Sequence, residues 1–402
     1  MTSFTQNTHK KLSTLLFLAA TASSQLAMAD TSNFTSNKVT LNKNPLDIGL
    51  SALFAAGGSS VGETSIANLQ GGGHDPNRIG FTIQNVELSL GGAVDPFFDG
   101  QTNIIFQIND EGETVIELEE AYVISKKLPY GLQLKAGQFF TEFGRLNNQH
   151  PHTWAFSDQP VILSRLFGGD GLRSQGARIA WLTPMPWYSE VYVGVQNARG
   201  ETTSSFISDA KTENTERSIN GADDFLYSAR WLNGFDITDS VSSNLGVSAL
   251  WGPNSSSATN SNQTTIYGID YYLKWQADVS QGGYPFIAWH NEYLVSTFEN
   301  GDAQDKKDLT DNGWFSQLSY GYKKGWVAGI RLEQAKSNIN DSADPATDDR
   351  FRTALNLTWF PTEYSKLRLQ YNNDQAEHLS ETAHSLWLQL EFNLGSHAAH
   401  VF

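Results

Sequence analysis

From Tyr267 to Trp275 every second residue is large and apolar: Tyr267, Ile269, Tyr271, Leu273 and Trp275 share one parity, while Asp270 and Lys274 hold the other. Side chains along a strand alternate between two faces, so this pattern specifies a strand with one apolar and one polar side. The same reading applies to Trp326-Ala328-Ile330-Leu332 opposite Arg331 and Glu333, and to Phe351-Thr353-Leu355-Leu357-Trp359 opposite Arg352 and Asn356. Near the end of the chain, Leu386, Leu388, Leu390, Phe392 and Leu394 repeat it opposite Gln389 and Glu391. Sixteen such segments occur, near 46–57, 79–91, 101–109, 114–125, 130–140, 175–183, 187–198, 223–233, 241–252, 264–276, 285–298, 313–323, 325–336, 351–360, 364–373 and 384–402. A soluble sandwich also alternates. It seldom sustains sixteen strands of this length with aromatic residues repeatedly at their ends.

The connections alternate in length along much of the chain. Segments 58–78, 141–174, 199–222, 253–263, 299–312, 337–350 and 374–383 are long and polar, whereas Leu182–Pro186, Lys323–Gly325 and Pro361–Tyr364 are brief. Short turns at one end and long loops at the other, with an even strand number, predict an all-β, transmembrane antiparallel β-barrel of about sixteen strands. An open sheet edge is not viable in hydrocarbon, so the last strand must pair with the first and turn Leu386 to Leu394 toward lipid. Phe402, a terminal aromatic residue, is expected to act as the assembly signal of an outer-membrane barrel.

Residues 1–29 read as a secretory signal: Lys10 and Lys11 precede the apolar run Leu12 to Ala20, and Ala27-Met28-Ala29 supplies a small-residue cleavage site. Residues 30–44 are then a short lead-in and 45–402 a single barrel. Loss of two lysines and no acid takes the net charge from −16 to −18. Such an acidic protein is poorly suited to nucleic acid, whose phosphates need a basic surface. After the signal no apolar run approaches the ~20 residues of a membrane helix. With no cysteine, disulfides and thiolate metal sites are excluded. The 23 Phe, 14 Tyr, 11 Trp and 34 Gly are what interfacial girdles, strands and tight turns use.

The stretch "LEEAYVISKKLPYGLQLKAGQFFTEFGRLNNQHPHTWAFSDQPVILSRLFGGDGLRSQGARIAWL", Leu118 to Leu182, resembles outer-membrane porin-like proteins. Within it, "LKAGQF…FG" followed by "GDGLRSQGARIAWL" looks remotely like the phosphate-selective O/P-type porins. The "FGRLNNQHPHTW" and "GGDGL" blocks, and most of the mature chain, resemble the group labelled zinc-regulated TonB-dependent outer-membrane receptors. The porin resemblance implies a passive channel for small hydrophilic solutes whose third loop, 141–174, folds into the lumen. Glu142, Arg145, Asp158, Arg165, Asp170 and Arg173 would then line an eyelet of mixed sign, or pair with one another to fix the loop. Implied partners are outer-membrane lipid and lipopolysaccharide, the barrel-assembly machinery and small solutes, and a homotrimer is compatible with the pattern. The receptor resemblance implies an alternative, ligand-specific uptake linked to zinc.

The loop itself carries Trp154, Phe156, Val161, Ile162, Leu163 and Leu166, which folding inward would bury. Parity assigns Lys135, Arg178, Arg230, Lys274, Arg331, Arg352, Lys366 and Arg368 to the lumen wall, with Glu117, Glu119, Glu190, Asp270, Glu333 and Glu391. This near balance of charge departs from the concentrated basic ladder that phosphate selectivity requires. Acidic residues gather in the loops, among them Glu299, Asp302, Asp305, Asp308 and Asp311, as a solvated surface or a source of weak cation preference. His150 and His152 are the candidate metal ligands, with His74 or His378 able to join them in space, although Pro151 restricts their convergence; His397 and His400 form a second pair. No cofactor is implied. Catalysis is disfavoured because His290-Asn291 and His384-Ser385 are adjacent on strands and point to opposite faces, and Gly-rich 168–172 has no following helical pattern.

Overall fold

The alternating segments form strands in a computed structural model that describes residues 39–41, 44–109, 112–207, 220–257, 261–277, 282–302, 304–338 and 344–395. The expected signal, most of the lead-in, His397, His400 and Phe402 lie outside the described residues. The first half holds β1 (Val39–Leu41), β2 (Asn44–Ser59), β3 (Gly80–Ala93), β4 (Phe98–Ile108), β5 (Thr114–Ser125), β6 (Leu132–Phe140), β7 (Arg173–Leu182), β8 (Tyr188–Asn197) and β9 (Phe225–Thr238). The second holds β10 (Val241–Pro253), β11 (Gln263–Gln276), β12 (Phe286–Asn300), β13 (Lys307–Lys323), β14 (Trp326–Ser337), β15 (Arg350–Thr362), β16 (Ser365–Ala376) and β17 (Ala383–Gly395). Each of β2 to β17 pairs antiparallel with its sequence neighbours, and β17 returns to β2 from Ser385↔Ser59 to Gly395↔Gly49. The sixteen strands therefore form a closed ring. β1 pairs with β2 through Val39↔Leu46, on the stretch that β17 leaves free.

Closure satisfies the backbone without water, as a hydrocarbon surround demands. On β17 the predicted parity is realised: Leu386, Leu388, Leu390 and Leu394 are exposed on the outside, and Ser385, Trp387, Gln389, Glu391 and Asn393 are buried inside. Stacked aromatic pairs such as Trp326–Trp359 and Trp187–Phe235 sit near the short-turn end, and Tyr227–Trp251 near the other. This is the girdle arrangement of a membrane barrel.

One boundary moves. β12 and β13 continue to Asn300 and from Lys307, so Glu299, Asp308 and Asp311 lie on strands, with Glu299 opposite Asp308, and not in a loop. Between Lys307 and Asn312 only Leu309 is apolar, so the extension has no apolar alternation to mark it. α1 (Glu63–Leu69) lies in the first long connection and α2 (Val161–Phe167) in the second.

Candidate functional site

The third connection at the long-loop end, residues 141–172 and hereafter L3, folds into the barrel. Its neck is tied where the Thr141 amide donates to the Leu172 carbonyl at 2.9 Å, and Asn147 bridges both residues through its side-chain amide. Phe143, Leu146, Trp154, Ile162, Leu163 and Phe167 are buried, as the loop's composition requires. They pack on an apolar belt with one inward residue from each of six consecutive strands: Leu226, Leu250, Ile266, Leu294, Phe315 and Ala335. Wall glycines admit this contact, since a Cβ on Gly268 would stand 2.6 Å from the Phe143 ring. The belt was missed in the sequence. Its signal is an apolar residue on the lumen parity near one strand end.

Beside this core, on β12 and β14 to β16, the loop is held by polar wall residues, many of which donate to or accept from its main chain. Gly144, at φ +58° in the region glycine favours, turns the chain so that the Arg145 and Leu146 amides both donate to Glu292 Oε1 at 2.8 Å. Val161 donates to Glu333 Oε2 at 2.7 Å. Lys366, Arg368 and Asn356 donate to the carbonyls of His152, Trp154 and Ala155 at 2.8, 2.7 and 2.9 Å. L3 thus spans from wall to wall.

Asp158 is the centre of the charged anchor. Its buried carboxylate accepts from Arg331 at 2.6 Å, Gln370 at 2.7 Å, Asn372 at 2.6 Å and Arg352 at 3.3 Å. Burial alone would raise its pKa, but Arg331 and Arg352 outweigh that and hold the carboxyl at about 2. The two guanidinium groups have further partners, Glu333 at 3.0 Å and Asp374 at 2.5 Å. Arg352 and Arg350 also donate to the Leu69 carbonyl, at 2.6 and 2.8 Å, which draws the end of α1 onto the same anchor.

The six loop charges therefore have two roles. Glu142 and Arg145 sit beside the lumen, the first paired with Arg178 at 2.8 Å and the second 3.8 Å above the Tyr272 ring. Asp158, Arg165, Asp170 and Arg173 serve as anchors: Arg165 reaches the Asp348 carbonyl at 2.7 Å, Asp170 lies 3.7 Å from His74, and Arg173, which opens β7, pairs with Glu117. Among the wall residues, Arg331, Arg352, Lys366, Arg368 and Glu333 are covered by L3, with Lys366 also paired to Glu391. Arg230 pairs bidentately with Asp270 at 2.6 and 3.0 Å. Lys135 lies 3.8 Å from Glu120, and Glu190 accepts from the Tyr192 hydroxyl at 2.6 Å.

His150 and His152 converge within the restriction that Pro151 sets. Pro151 starts a single 3-10 turn, Pro151–Thr153, and the turn stacks the two rings with centroids 5.7 Å apart. His74 and His378 do not join them; His378 pairs instead with Asp348 at 2.7 Å. Carboxylates come from the wall: His150 Nδ1 is 2.8 Å from Glu119 and 3.4 Å from Glu87, its Nε2 is 3.0 Å from Glu120, and His152 Nδ1 is 3.1 Å from Glu87. A bulge in the β4–β5 ladder between Asn103 and Ile104 leaves Glu119 as the extra residue, so that Glu119 and Glu120 both face inward. Strict parity found Glu117 and Glu119 and missed Glu120.

Two of the open volumes among the described residues lie at the short-turn end and both border the His150–Ala155 segment. One, about 620 Å³, is lined by Asp47, Glu87, Asp99, Glu120 and Tyr122. The other, about 340 Å³, is lined by Arg145, Tyr272, His290, Lys366, Arg368 and Phe360. His150 and His152 border both. The lumen is thus acidic on one side of the loop and basic on the other.

No family model matches the chain. An uncharacterized protein of Aquifex aeolicus (strain VF5) is 30% identical over 354 residues, covering 82% of this chain and 73% of its own. Among solved structures, the outer membrane channel DcaP of Acinetobacter baumannii is similar with a TM-score of 0.60 at 10% identity, over 87% of this chain and 97% of that one. OprB of Pseudomonas putida gives 0.55 at 13% identity, over 87% and 94%. Salmonella typhi OmpF, solved with daunomycin, gives 0.50 at 12% identity, over 87% and 98%. At these identities the likeness to solved structures is one of fold.

Proposed function

The chain belongs to the same family as the Aquifex aeolicus protein and has the fold of the outer-membrane porins, and on that premise we propose that it is a passive channel for small hydrophilic solutes, narrowed by residues 141–174. The observation that carries this reading is the wall-to-wall docking of L3 in a lumen that keeps open volume on both sides of it. A sixteen-stranded ring is wide enough for an aqueous path unless a segment inside it intervenes. Glu142 and Arg145 are the loop charges that face a passing solute, with Lys135, Arg178, Arg230 and Glu190 on the wall around them.

In this reading residues 1–29 are removed on export, 30–44 lead into the barrel, and 45–402 form one domain. Phe402 marks the last strand for the barrel-assembly machinery. Lipid meets the outer apolar parity, lipopolysaccharide meets the long-loop end, and three copies assemble into a homotrimer. The acidic rim concentrates cations at the mouth.

Planar-bilayer recording tests the reading. Discrete conductance steps with a reversal potential in a KCl gradient that favours K⁺ are expected. Absence of steps from folded protein refutes the channel, and anion selectivity refutes the cation preference.

A further inference from the structure

We propose that Glu87, Glu119 and His150 form a binding site for a divalent transition-metal ion where L3 meets the β3 and β5 wall. One ligand atom from each lies within 4.8 Å of the others. Glu119 is fully buried, and its carboxylate faces His150 Nδ1 at 2.8 Å outside hydrogen-bond geometry, with no other donor among the described residues. A buried carboxylate is costly unless it is paired or coordinates a metal.

The surroundings match what a metal-bound histidine needs. Its second ring nitrogen faces a carboxylate, Glu120, at 3.0 Å, the outer-shell contact that fixes tautomer and ring orientation in metal sites. Glu120 is itself held by the Phe140 amide at 3.2 Å and by Lys135 at 3.8 Å. On Glu87, Asn103 and Ser89 donate to Oε1, both at 3.0 Å, leaving Oε2 turned toward His150 and His152. Three carboxylates face Lys135 and two imidazoles, so the cluster carries about two negative charges beyond Lys135 that either protons on the imidazoles or a divalent ion that displaces those protons can balance. A divalent ion offsets them. One imidazole with carboxylates suits zinc, cobalt or manganese better than calcium or magnesium, which take mostly oxygen donors. The 620 Å³ volume lined by Asp47, Asp99 and Glu120 gives an acidic approach from the short-turn end.

Binding at this site stands apart from the channel reading; only its consequence, a metal clasp fastening L3 to the wall, rests on that reading. The test is titration of Zn²⁺ into detergent-purified full-length protein after EDTA stripping. One saturable site of micromolar or tighter Kd is expected, with Mg²⁺ in large excess unable to compete. Glu119→Gln and His150→Gln should each weaken binding by roughly 100-fold and Glu120→Gln by roughly 10-fold, while Glu299→Gln, at the acidic hairpin, leaves it unchanged. Heat-modifiable migration in SDS gels verifies that each barrel is folded. Where a variant fails that check, Cu²⁺ electron paramagnetic resonance on the wild type reads the site directly and should carry imidazole nitrogen superhyperfine structure. No saturable binding, equal competition by Mg²⁺, wild-type affinity in folded Glu119→Gln, or a Cu²⁺ spectrum without imidazole nitrogen overturns the proposal.

Discussion

Replacing Asp158 by Asn removes a carboxylate that Arg331 and Arg352 share while keeping its size. All three side chains are buried, and removing one partner of a buried ion pair costs about 3–5 kcal/mol. Glu333 and Asp374 still face the two guanidinium groups, and the Arg331 contact to the Asp158 carbonyl at 2.9 Å survives, so the lower figure, about 3 kcal/mol, is the expected cost. That loss falls on the docking of L3 and not on the strand ladder, which contains no bond to residue 158. A 3 kcal/mol change shifts the docked-to-undocked ratio by roughly 100-fold. Single-channel recording of the variant should therefore show added openings of larger amplitude and greater open-channel noise, with the folded SDS band unchanged. Amplitude histograms and noise identical to wild type would refute the idea that this anchor holds the loop.

Asp75, in the first long connection, accepts from the Gly72 and Gln159 amides at 2.9 and 2.8 Å; burial, then the Asp158 carboxylate, raise its pKa from 3.8 to about 7. A carboxyl whose folded-state pKa is raised stabilises the docked state while it holds its proton, so the contribution is complete below 3.8 and is lost as pH rises toward 7. Protease cleavage within L3 should be faster at pH 8 than at pH 5, and Asp75→Asn should flatten that dependence. Asp158, held near 2, works in the opposite sense: its stabilisation is present above its ordinary value and is lost only as pH falls toward 2. Gly144→Ala places a Cβ 2.2 Å from Glu292 Oε2 at positive φ, and should release the Arg145–Leu146 turn and raise conductance. Leu388→Arg, on the outward face midway along β17, should cost roughly 2–4 kcal/mol and lower the yield of folded barrel in liposomes; wild-type yield would contradict the lipid assignment of that parity.

Strand number and facing were legible because lipid outside and polar groups inside impose period two on every strand, as on β17. The position of L3 was legible from its length and from apolar residues such as Trp154 and Ile162 that need cover. What escaped the sequence depends on contacts between distant segments. Parity marks Arg331, Arg352 and Arg368 as inward, but whether water or a loop covers them is decided by L3, 160 or more residues earlier in the chain. Glu120 escaped because one bulge reverses parity within β5. His150 and His152 show neither the turn that stacks them nor the carboxylates supplied by β3 and β5.

Deleting residues 150–170 and recording single channels in planar bilayers tests the central claim most directly, since it removes the segment that crosses the lumen and leaves every barrel strand intact. The account predicts a folded, heat-modifiable barrel whose unitary conductance rises several-fold above wild type. An unchanged conductance from that folded barrel would contradict it.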